Sequence, residues 1–157
     1  MSVAELFASV LQSALAEVRQ KSIPVYTFAL YHDHESHAVS VCVDTEENSA
    51  RCVASMNRYN MKYFMQAIAD NDLKSASLWQ ANIGRSLSLG DFVLVNCART
   101  DLGKTKATSA FYLTMIEALV AVQSEVVDLS PNPERLVLAS SGPNDEVAYV
   151  WSAQGAA

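Results

Sequence analysis

The chain has 157 residues, 50% hydrophobic and 18% charged, with a formal net charge of −6. That length fits one domain that buries roughly 70% of its unfolded surface, and the composition leaves little room for a disordered tail. The eleven Lys and Arg are scattered, with no basic window, which argues against nucleic acid and anionic membrane surfaces as partners, because both are held by clustered cations.

Ser2 to Lys21 predicts an amphipathic helix, since Val3, Leu6, Phe7, Val10, Leu11, Ala14 and Val18 recur at intervals of three and four. Ser2 and Glu5 have capping-box spacing, and Pro24 helps to stop the helix. This segment has no basic n-region and carries Glu5 and Glu17, so it does not read as a secretory signal. Val25 to His32 alternates: Tyr26, Phe28 and Leu30 on one side, Val25, Thr27, Ala29 and Tyr31 on the other. A polar turn, Asp33 to Ser36, leads into a second strand, His37 to Val43, and the short connection implies an antiparallel hairpin. Asp44 and Glu47 again have capping-box spacing, and a helix is expected from there to about Ala69. Its stripe is Val53, Met56, Tyr63, Phe64, Ala67 and Ile68; Asn57, Tyr59 and Asn60 dilute its middle, which leaves room for a kink or break there.

Asp70 to Gly90 is polar, with Leu73, Leu78, Trp79 and Ile83 as anchors. Asp91 to Leu102 combines strand composition (Phe92-Val93-Leu94-Val95) with helical spacing at Phe92, Val95, Ala98, Arg99 and Leu102, and a short helix is the reading adopted. A further helix, capped at Thr105 or Thr108, is expected to about Val127, with Phe111, Met115, Ile116, Leu119, Val122 and Val126 inward. Arg135 to Ser140 and Glu146 to Ser152 form a second hairpin around Ser141-Gly142-Pro143-Asn144-Asp145. The whole predicts a single α+β domain over residues 1–157, in which an antiparallel sheet of two hairpins packs with three main helices. No apolar run approaches the ~20 residues of a membrane span. Three cysteines without a CxxC pair fit a reducing, cytoplasmic compartment.

Chemistry-bearing residues are few. His32, His34 and His37 flank one turn, and imidazoles so spaced could present three nitrogens to a metal ion. The competing reading, a solvated and incidentally histidine-rich turn, is favoured because no distant ligand set accompanies them. Cys97 lies in an apolar run and reads as packing. Gly103-Lys104-Thr105 lacks the upstream glycine of a phosphate loop. No nucleophile, base and oxyanion site come together, so an enzyme is not expected and no cofactor is implied. Asp33, Glu35, Asp44, Glu46 and Glu47 form an acidic rim that a basic protein partner could dock against.

The run YTFALYHDHESHAVSVCVDTEEN, followed by Trp79, Phe92 with Asn96, the helix Phe111 to Val122 and the closing LVLASSGPNDEVAYVW, resembles the bacterial domain of unknown function (DUF) 4303 family. These are packing patterns, and no site residue transfers with them. The resemblance implies a small cytoplasmic immunity protein, one that neutralises a cognate toxin by binding it and occluding its active site. A metal-binding module or metal-dependent enzyme built on His32, His34 and His37 is the alternative.

Overall fold

The computed structural model describes residues 1–153, which fold as α1 (Val3–Lys21), β1 (Thr27–Asp33), β2 (Ala38–Asp44), α2 (Glu46–Ala69), α3 (Leu73–Ala76), β3 (Leu94–Asp101), α4 (Ser109–Val127), β4 (Val137–Ser140) and β5 (Tyr149–Ser152). The fold is α+β, and its chain divides into two compact units: Met1–Glu46 together with residues from 89 onward, and Glu47–Ser88.

In the larger unit the strands lie in the order β3-β2-β1-β4-β5. The two expected hairpins form, but β1 and β4 run parallel, so the sheet is mixed and not purely antiparallel. Alternation sends Phe28, Leu30, Val39, Val41, Val43, Leu136 and Leu138 into one cluster with the apolar stripes of α1 and α4. Ala29, Cys42 and Ala139 face the opposite way and are covered by Leu89 and Phe92. Burial on both faces is why every residue of β2 is inaccessible. The expected capping box of α1 is present, with the Ser2 side chain on the Glu5 N–H and Glu5 reaching back to the Ser2 N–H.

α4 is long and apolar enough to cross a membrane by length and composition, contrary to the expectation that no segment would be. In the fold its Phe111, Met115, Leu119, Val122 and Val126 are core residues.

Residues 91–102 correct the expected helix: they contain a strand. Leu94, Cys97 and Thr100 pair with Val43, Val41 and Val39, three residues of β3 for every two of β2. The extra residues are taken up where Asn96 and Ala98 adopt left-handed backbone conformations (φ 55° and 53°), one of the conformations by which a β-bulge absorbs an extra residue. A doubly bulged edge strand thus repeats every three residues and imitates helical spacing.

Within residues 47–88, α2 continues as one helix past Asn57, Tyr59 and Asn60, without a break. The Asn57 side chain donates to the Asn82 carbonyl at 3.0 Å and accepts the Asn82 N–H at 2.9 Å, and Asn60 donates to the Gln80 carbonyl at 3.2 Å. These amides interrupt the apolar stripe because they hold an extended segment by imitating a strand neighbour. The only buried residues in this unit are Ser49, Ala67, Ala76 and Ser86.

Candidate functional site

β1 brings His32 to the helix-facing side of the sheet, in the same parity as Phe28 and Leu30, and there it is 2% exposed. That corrects the reading of all three histidines as a solvated turn. With neutral imidazoles the hydrogen bonds assign the tautomers. The Thr105 carbonyl can only accept, so His37 Nε2–H donates to it, and the remaining His37 nitrogen, Nδ1, is an acceptor. His32 Nε2–H therefore donates to His37 Nδ1 at 3.1 Å, and His32 Nδ1 accepts the Tyr112 hydroxyl at 3.0 Å. His34 Nε2–H donates to the Gly142 carbonyl at 3.0 Å, with the Tyr112 oxygen also in reach at 3.3 Å. The His32 backbone N–H is held by Ser141 Oγ at 2.9 Å, and that hydroxyl donates to the Glu146 carbonyl.

Burial, reinforced by the two neighbouring imidazoles, pushes the His32 pKa down to about 4. The lone pairs of His32 and His37 already receive internal donors, which leaves neither free to ligate. Among the described residues no group of three or more His, Cys, Asp or Glu is placed to hold a metal ion. The network links β1, the hairpin turn, the segment before α4 and the loop after β4. Cys97 is similarly committed. Its thiol donates to Glu17 Oε2 at 2.7 Å, and burial followed by that carboxylate raises its pKa to about 12, the opposite of an activated nucleophile.

The five acidic residues do not form one rim. Asp44 is fully buried, the last residue of β2, where its Oδ1 accepts the Val93 N–H at 3.2 Å; a carboxylate so placed is not a docking charge. Asp33 pairs with Arg99 at 2.6 Å and accepts the N–H groups of Glu35 and Ser36, and the arginine, with those turn bonds, lowers its pKa to about 2. Glu46 is bound by Arg135, and Glu47 lies 3.7 Å from Arg51. Glu35 is exposed at the hairpin turn.

Sequence reasoning missed a surface on residues 47–88. The stripe read as buried leaves Met56, Tyr63 and Ile68 exposed, and Tyr59, Met61, Met65, Leu73, Leu78 and Ile83 are exposed with them. Tyr63 stacks on Trp79 with ring centroids 4.8 Å apart and planes inclined by 28°, and Tyr59 lies 4.8 Å from Tyr63. Beside them is a groove of about 330 Å³ lined by Asn57, Met61, Phe64, Trp79, Gln80 and Ala81. The charge here is reversed. Arg51, Arg58, Lys62, Lys74 and Arg85 stand against Glu47, Asp70 and Asp72, five against three, a net of +2; the remaining residues therefore carry −8 of the total −6. A chain-wide average hides this, and counting charge along the chain would have found it.

The chain matches no protein-family model, no curated protein and no solved structure. The resemblance to the DUF4303 family therefore rests on the quoted residues alone.

Proposed function

We propose that this chain is a cytoplasmic protein-binding module that neutralises a partner by covering it, the role of a toxin-immunity protein. One observation carries the reading: α2 and the segment after it present aromatic, methionine and leucine side chains to solvent from a unit that buries four residues. Proteins that act alone rarely leave apolar faces of this extent uncovered, and Tyr, Trp, Met and Arg are the residue types enriched where partners dock. The reactive side chains support the same direction, since the His32 and His37 lone pairs and the Cys97 thiol are engaged in internal hydrogen bonds.

The test is co-expression with the product of the adjacent gene. A stable complex, together with rescue of growth from that product's toxicity, is the expected outcome. A neighbour that is not toxic and does not co-purify with the chain would end the immunity reading.

A further inference from the structure

We infer that the groove along α2 receives an acidic amphipathic segment of the partner protein. This inference rests on the binding reading above and goes further by naming the chemistry of what is bound.

Three observations converge on it. First, the groove has an apolar floor (Met61, Phe64 and Trp79) rimmed by the amides of Asn57 and Gln80, which suits a few apolar anchors and not a uniformly charged ligand. Methionines at 56, 61 and 65 let such a surface fit side chains of different shape. Second, from residue 48 to residue 69 the chain holds three cations and no carboxylate. Arg58 and Lys62 are four apart, a like-charge spacing that mildly destabilises a helix, and neither forms an ion pair among the described residues. Lys62 instead lies 5.9 Å from the ring centre of Tyr63. A carboxylate on the occupant would relieve that repulsion. Third, the charge balance disfavours the other occupants. A second copy packed face to face would set Arg58 and Lys62 against their own images. A head-to-tail copy would build a closed ring or an open filament, which the self-association arm of the experiment below detects. A nucleic acid would bring a phosphate at every step to a chain whose other residues carry the −8 noted above.

The experiment uses the whole chain and two labelled helical peptides with the same Leu and Phe positions. One carries Asp and Glu at the remaining sites and the other carries Lys. Fluorescence anisotropy should show the acidic peptide binding more tightly at low salt than at high salt. Arg58→Glu with Lys62→Glu, both on the exposed helix surface, should weaken it by about tenfold or more. Trp79→Ala should weaken it at least as much, with circular dichroism confirming an intact fold. Equal affinity for the Lys peptide, no affinity for the acidic one, saturable binding of oligothymidylate at the same groove, or self-association that excludes the peptide would each overturn the inference. The two claims fail separately. Should the acidic peptide not bind while Tyr63→Ala and Trp79→Ala still release the co-expressed partner, the acidic chemistry is wrong and the binding face stands. If those variants keep the partner, the face itself is wrong.

Discussion

Protonating His32 should destabilise this protein from the inside. Its ring sits 5.0 Å from that of Phe111, accepts the Tyr112 hydroxyl and donates to His37, so the folded state wants it neutral. In the unfolded chain it titrates at the ordinary value of 6.5, and in the fold at about 4. The unfolded state therefore takes the proton first. The stabilisation is complete above pH 6.5 and drains away as the pH falls towards 4. Linkage puts the loss at about 1.4 kcal/mol at pH 5.5 and at most about 3 kcal/mol at pH 4. That is a large share of the ~5–15 kcal/mol typical of a domain. The assay is urea unfolding at a series of pH values for the wild type and His32→Gln. Gln can donate to His37 and accept from Tyr112 but does not titrate. Both proteins share every other carboxylate and histidine, so the difference between their pH profiles isolates this group. The variant should lose its slope between pH 6.5 and 4. Asp33 lies in a separate window, because its lowered value means its contribution disappears only as the pH falls from 3.8 towards 2. Parallel profiles for the two proteins above pH 4 would refute the reasoning.

Two further outcomes follow from the same geometry. A thiol reagent at mild alkaline pH should modify Cys52, the partly exposed cysteine, quickly, and should reach Cys42 and Cys97 only after denaturation; a second fast thiol in the native protein would contradict the Cys97–Glu17 bond. Asn57→Ala removes both bonds to the Asn82 backbone and should cost about 1–3 kcal/mol of local stability. Hydrogen exchange should quicken at residues 80–86 without change in the strands, and an unaltered pattern there would show that the amide does not hold the segment.

The elements with a strict local period were legible. α1, α4 and the first hairpin follow from spacing and alternation, and Ser2 marks the first helix end to the residue. The failures come where a distant partner sets the local pattern. β3 looked helical because two bulges change its period from two to three, and that is decided by pairing with β2 and not by its own sequence. α2 looked open to a break because Asn57 and Asn60 answer to a backbone about two dozen residues downstream. His32 was legible and misread. It shares the parity of Phe28 and Leu30, which places it inside, yet its grouping with His34 and His37 by sequence proximity suggested a solvated turn or a metal site. Proximity in sequence was the weaker guide, since alternation assigns the face of each strand residue separately.

The acidic rim failed for a different reason, and it changes what kind of partner the chain should attract. A net charge of −6 reads as an invitation to a basic surface only if the charge is spread evenly. It is not. The carboxylates expected to greet a partner include one that is fully buried and three that lie beside an arginine, whose charge offsets theirs at the surface. The cations of α2 at 58 and 62 have no such counter-ions among the described residues, and Lys62 stands beside the exposed Tyr63 ring. A partner is steered by the local field within about a Debye length, ~8–10 Å in ordinary salt, and not by the sum over the chain. Within that distance of the Tyr63 ring lies the Lys62 ammonium, 5.9 Å from its centre, and Tyr63 stacks on the Trp79 that lines the groove; this adjacency of cation and apolar surface is what supports the proposed acidic amphipathic partner.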